Sequence, residues 1–138
     1  MGWICPDCGR TFGHANQPHS CHQPIDLDQW LAKRSEIVRA AVAATQRWLE
    51  RYDDVLFEPV KSAVMIKRTH TFAEVQSKRT GAIVAFIVPR LVDDPRIVRT
   101  LAITSTRTAH VVSITELADL DEQLRDWVTE SYEASPTN

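Results

Sequence analysis

Glycine is scarce in this chain, with four in 138 residues, at positions 2, 9, 13 and 81. With so few, and none in a usable cluster, neither a glycine-rich phosphate cradle nor the G-x-S-x-G turn of a nucleophilic serine can be built. Long apolar runs are missing as well. The longest, Ala82 to Pro89, falls far short of the roughly 20 residues a membrane-crossing helix needs. No basic leader followed by an apolar stretch opens the sequence, so a soluble, cytoplasmic protein with no signal peptide and no membrane partner is expected. Cysteine is limited to three residues, all between positions 5 and 21. An odd, clustered count excludes a secreted disulfide framework and points to thiolates kept reduced for a metal. Internal repeats and low-complexity segments are also lacking.

What is present is an ordinary globular composition, 43% hydrophobic and 25% charged, with a net charge of -2 that conceals a strong asymmetry. Residues 61 to 110 carry nine basic and three acidic side chains, and residues 111 to 138 carry one and seven, so these blocks stand near +6 and -6. Two readings follow. The blocks can attract one another inside the fold, or the basic block forms a surface for phosphate or another anion.

Periodicity gives the elements. Asp26 with Gln29 opens a short helix through Leu31, and Ser35 caps a longer one whose apolar stripe runs from Ile37 to Tyr52. Val55 to Val60, Ala63 to Arg68, Thr71 to Gln76 and Ala82 to Val88 read as strands, joined too closely for anything but antiparallel pairing. The run AIVAFIV lacks alternation and is expected to be the central strand, covered on both faces. Asp93-Asp94-Pro95 predicts one or two helical turns through Arg99. Ala109 to Ile114 is a further strand, with Leu101 to Thr104 a candidate before it. Asp119 with Glu122 predicts the start of a terminal helix lined by Leu117, Leu120, Leu124, Trp127, Val128 and Tyr132. The expected fold is α+β: an antiparallel sheet of about five strands against N-terminal and C-terminal helices, with a small N-terminal zinc-binding module. Its parts would be a finger at 1–24, the α+β domain at 25–134 and a disordered tail at 135–138.

The N-terminal segment carries the clearest chemistry. Cys5-Pro6-Asp7-Cys8-Gly9 has the spacing of a zinc knuckle, in which a tight turn aims two thiolates at one ion and glycine supplies the turn's positive φ. A thiolate-rich set favours Zn²⁺ over hard, oxygen-loving cations. Cys21 is the remaining thiol and the natural third ligand. His19 is the preferred fourth, completing C-x2-C-x10-H-x-C, with His22 and then His14 as substitutes. Four protein ligands leave no open position for a catalytic water, so one structural zinc ion is expected. Trp3 and Phe12 flank the knuckle as its apolar support.

The stretches C-P-D-C-G-R-T-F, N-Q-P-H-S-C, E-P-V-K-S, F-A-E-V and L-V-D-D-P-R together resemble an uncharacterised bacterial family, domain of unknown function 5655, in versions that begin with a zinc-ribbon-like finger. The resemblance implies an α+β domain with a small antiparallel sheet and no assigned reaction. Its finger pattern matches Cys5, Cys8, His19 and Cys21; the histidines at 14 and 22 are additional to it.

Beyond the finger, Lys61, Arg68 and Arg90 could clamp a phosphate or carboxylate if adjacent strands bring them to one face. The alternative is a set of cations that keep strand edges soluble. His70 and His110 are possible acid–base partners, yet no carboxylate is placed beside them by spacing. The expected function is a non-enzymatic zinc-binding protein whose basic sheet region binds nucleic acid or another anionic partner. The alternatives are a small-molecule or protein-interaction module with purely structural zinc and, more remotely, an enzyme with a pocket between sheet and helices.

Overall fold

The computed structural model describes residues 2–6, 9–17 and 25–136. Its N-terminal part is a two-stranded hairpin, β1 (Trp3–Ile4) with β2 (Thr11–Phe12), in which Trp3 pairs with Phe12. Two helices follow. α1 (Leu27–Ala32) is capped by Asp26, whose side chain accepts from the Asp28 N–H, and α2 (Glu36–Leu49) by Ser35, which accepts from the Val38 N–H. Both caps were legible from the sequence.

The main sheet comprises β3 (Leu56–Pro59), β4 (Ala63–Lys67), β5 (Thr71–Lys78), β6 (Gly81–Val88), β7 (Ile97–Thr104) and β8 (Arg107–Ile114). It is antiparallel throughout, in the order β3-β4-β5-β6-β8-β7. It therefore has six strands rather than about five, the sixth being β7, which starts where the sequence predicts helix. Asp94 makes one turn only: its carbonyl accepts from the Ile97 N–H and its carboxylate from the Arg96 N–H. The β-branched run Ile97-Val98 and its continuation then pair with β8 as a hairpin, and that ladder prevails over the Asp-Asp-Pro signal. At the C-terminal end the capping residues also move. Asp119 closes a 3-10 turn (Leu117–Asp119) with Glu116, and Asp121 caps α3 (Glu122–Ala134) by accepting from the Leu124 N–H. Ser135, assigned to the frayed end by the sequence, is buried, and its N–H donates to the Tyr132 carbonyl.

The helices lie on one face of the sheet, with α2 and α3 across β5 and β6. Alternation sets the core: Ala82, Val84, Phe86 and Val88 of β6 and Val112 and Ile114 of β8 are buried beneath Val38, Ala41, Val42, Leu49, Leu124, Trp127 and Val128. Each such side chain contributes about 1.5–3 kcal/mol by leaving water. β6 is interior, as expected, but the described residues do not cover it fully on both faces. Ile83 and Ile87 point away from the helices and remain only half-buried. The glycine at 81 is required at the β5–β6 turn: its φ is +156°, and an added Cβ would lie 2.4 Å from the Ile114 carbonyl oxygen.

Opposite the helices, the N-terminal hairpin stands over the β3–β4 side of the sheet. Lys67 fastens it there: its Nζ donates to the Thr11 carbonyl at 2.8 Å and to Glu58 Oε1 at 3.3 Å, and lies 5.2 Å from the Phe12 ring centre. No helix among the described residues is long and apolar enough to cross a membrane.

Candidate functional site

The chain turns back on itself after Cys5. Cys5 is buried, at 3% exposure; its N–H donates to the Arg10 carbonyl, and its carbonyl accepts from the Gly9 N–H at 2.8 Å. Gly9 has φ +74°, the left-handed conformation that favours glycine. Trp3 and Phe12 pack beside Cys5, with ring centroids 6.1 Å apart. Cys8, His19, Cys21 and His22 lie outside the described residues. His14 is described, and its ring faces that of His70 at 6.1 Å.

The three cations singled out as an anion clamp are not brought together. Lys61 sits in the β3–β4 turn and Arg68 at the far end of β4, roughly 20 Å along the strand. Arg68 donates to Asp54 Oδ2 at 2.8 Å and lies over the Tyr132 ring at 4.3 Å; Arg90 binds both oxygens of Glu130, at 2.8 and 2.9 Å. Arg96 similarly holds Asp121 and the Asp119 carbonyl. The basic block is thus partly met by the acidic tail, through Arg90–Glu130 and Arg96–Asp121, and partly by earlier carboxylates, through Lys67–Glu58 and Arg68–Asp54. Exposed pairs such as Arg90–Glu130 each contribute under about 1 kcal/mol. Their larger effect is to occupy charges otherwise free for a ligand.

The two histidines do not meet either. His70 lies against the hairpin, where a Cβ added at Gly13 would come within 2.5 Å of its ring. His110 is buried on the helix side, stacked between sheet and α3: its ring is 5.1 Å from Phe86, which in turn stacks on Trp127 at 5.3 Å. Its Nε2 accepts from the Val92 N–H at 2.9 Å, and burial holds it below the usual histidine range, so it is neutral and structural.

A different constellation is assembled where α1 meets α2. Trp30, 3% exposed, donates from Nε1 to the Val60 carbonyl at 2.8 Å, locking α1 onto the β3–β4 turn. The Arg34 guanidinium lies over the Trp30 ring, 4.2 Å from its centre, and donates from Nη2 to the Lys61 carbonyl at 2.8 Å. Its Nε is buried with no partner among the described residues. Between these elements runs a groove of 660 Å³, lined by Gln29, Trp30, Lys33, Arg34, Lys61 and Ser62 over a floor of Ile25 and Val60. Among the described residues three cations line it and no carboxylate does. Lys61 stands out in the sequence, whereas Lys33 and Arg34 do not, because they fall outside the basic block at 61–110 and reach Lys61 only in the fold, through the Trp30–Val60 and Arg34–Lys61 contacts.

A family model matches residues 27–135, which takes in α1 through α3 together with the groove. The chain belongs to the family DUF5655, a domain of unknown function. That match stops short of the N-terminal hairpin and takes in the six-stranded sheet with its three helices. No curated protein and no solved structure matches the chain.

Proposed function

We propose that this DUF5655 protein is a non-enzymatic, zinc-stabilised binding module that takes the anionic group of its ligand, a phosphate or carboxylate, in the groove between α1–α2 and the β3–β4 turn. The observation that carries this reading is the convergence of Lys33, Arg34 and Lys61 on one concave surface with no carboxylate among the described residues that line it. Elsewhere Arg68, Arg90 and Arg96 are committed to internal pairs. Arg34 is held over Trp30 by its bond to the Lys61 carbonyl, so little side-chain entropy is lost on binding. Planar guanidinium and flanking ammonium groups are the usual combination for oxyanions.

In this reading Cys5, Cys8, His19 and Cys21 hold one Zn²⁺, which would give the N-terminal segment the folding free energy its small apolar support lacks. The buried Cys5 and the left-handed Gly9 support that assignment. Nucleic acid is one anion of the right kind, and it predicts a steep salt dependence, because neutralised phosphates release counterions.

Titrating inorganic phosphate and short single-stranded DNA at low and moderate salt tests the groove. Binding should weaken roughly fivefold or more in Lys33→Ala and Lys61→Ala while Arg90→Gln leaves it unchanged. No binding of either probe at low salt removes the reading.

A further inference from the structure

The face of the sheet opposite the helices is covered only in part. The N-terminal hairpin occupies the β3–β4 side through Lys67, and among the described residues nothing covers β5, β6, β8 and β7. On that open part a shallow cavity of 240 Å³ lies over the small Ala85 and Ala109, between Met65, Ile87, Leu101 and Ile103. Leu101 is 58% and Ile103 45% exposed, a concentration of apolar surface unlike that of isolated exposed leucines.

Register places two charges on this face in a single row. Glu74 pairs with Ala85, Ala85 with Val111, and Val111 with Arg99. Glu74 therefore lies on the first strand of the open area and Arg99 on the last, roughly 14 Å apart, with the row's centre between β6 and β8. Among the described residues Arg99 has no carboxylate partner, and Glu74 is bonded only by the Gln76 amide.

From this geometry we infer that the open face packs against the same face of a second copy of the chain, related by a two-fold axis along the strands between β6 and β8. Such an axis reverses the order of strands across the sheet and keeps position along them. Glu74 of each copy then faces Arg99 of the other, and β7 of one copy covers β5 of the other. One charge pair on each side of the axis flanks an apolar centre, the arrangement an isologous interface requires. Aligned sheets packed about 10 Å apart interdigitate small residues with large ones, and the axis sets Ile87 and Val111 of one copy over the recesses at Ala109 and Ala85 of the other. Four strands by about six residues give a contact near 20 Å square, which after side-chain relief buries on the order of 1,000 Å² in total, the lower bound of a specific interface.

Pairing through the free edge of β7 is the competing route to a dimer. The register of β7 shifts between Ile97 and Arg99 and again between Ala102 and Thr104, and irregularities of this kind blunt an edge. The face is the better surface. This inference is independent of the anion groove, which lies on the helix side of the β3–β4 turn.

Sedimentation equilibrium on the full chain, from micromolar to near-millimolar concentration, tests it with charge exchange. The wild type should form a dimer; Glu74→Arg or Arg99→Glu alone, which sets like charges opposite one another twice per dimer, should weaken it roughly tenfold or more. The double variant should recover most of that loss. Leu101→Asp, on the exposed strand, should give a folded monomer by far-ultraviolet circular dichroism. A wild type that stays monomeric throughout overturns the inference. So does a dimer indifferent to the single exchanges or to Leu101→Asp, or one the double variant fails to restore.

Discussion

Replacing Tyr132 by phenylalanine isolates one hydroxyl whose role can be worked out on both sides of neutrality. The ring of Tyr132 stacks on Tyr52 at 3.8 Å and meets the edge of Phe72 at 5.7 Å, contacts that phenylalanine keeps. The hydroxyl donates to Asp54 Oδ1 at 2.6 Å, while Arg68 holds the other oxygen. Hydrogen bonds to a charged acceptor contribute about 1.5–3 kcal/mol; the Asp54 side chain is 45% exposed, so water competes and the lower end applies, about 1.5 kcal/mol. Near neutral pH, urea unfolding should show a reduced midpoint with unchanged slope, and melting should fall by about 3–5 °C. Alkaline pH supplies the second signature. Burial, and then the bond to Asp54, push the Tyr132 phenol up to about 12. The unfolded chain ionises this phenol first, so the stability linked to its protonated form is complete below pH 10 and is lost as pH rises through 12. That loss amounts to about 2–3 kcal/mol. Tyr132→Phe lacks this loss, which exceeds the gap at neutral pH, so the variant should become the more stable of the two proteins as pH rises through that range. Equal stability at neutral pH together with parallel alkaline profiles would refute the reasoning.

Other perturbations are direct. His110→Leu leaves the Val92 N–H without its acceptor and should cost about 1–3 kcal/mol by urea unfolding. Because burial depresses the basicity of His110, the unfolded chain takes up its proton first; wild-type stability should decline as pH falls below the ordinary histidine value near 6.5, and the leucine variant should flatten that slope in melts between pH 5 and 7. Gly81→Ala forces a side chain onto the Ile114 carbonyl from a positive φ and should destabilise by about 2 kcal/mol or more, read from the urea midpoint. Metal analysis should find one zinc per chain, with chelation lowering stability; Lys67→Met should loosen the hairpin, seen as faster amide exchange in β1 and β2, while leaving zinc content unchanged.

The helices and most strands were legible because their signals are local. Asp26 and Ser35 cap where their side chains suggest, and the stripe from Val38 to Leu49 can bury only one face. The miss at 94–99 came from weighting one turn signal above the β-branched residues after it, which gain a whole ladder by pairing with β8. The shift from Asp119 to Asp121 has a similar origin: the Asp119 carboxylate is drawn back to the N–H groups of Thr115 and Glu116, and Asp121 is left to cap the helix. At the site, Lys61 stood out in the sequence, but its companions Lys33 and Arg34 come from about thirty residues earlier through the contact of Trp30 with Val60, which no periodicity encodes. Likewise the charge asymmetry was visible, while the pairing that absorbs Arg90 and Arg96 into α3 depends on how the helix crosses the sheet.

The strand order β6-β8-β7 places the chain's outermost strand before its inner neighbour in sequence. β3 through β6 can form as a meander of adjacent hairpins, and β7 with β8 as another hairpin, but the β6–β8 ladder joins the two and cannot close until β7 has swung past the edge. It is the ladder of longest loop in the sheet, so its formation should limit the folding rate. Once closed, its amides are shielded by strands on both sides and should exchange with solvent only through global unfolding, while the outward amides of β7 exchange freely. The seam that is slowest to close is therefore also the last to open.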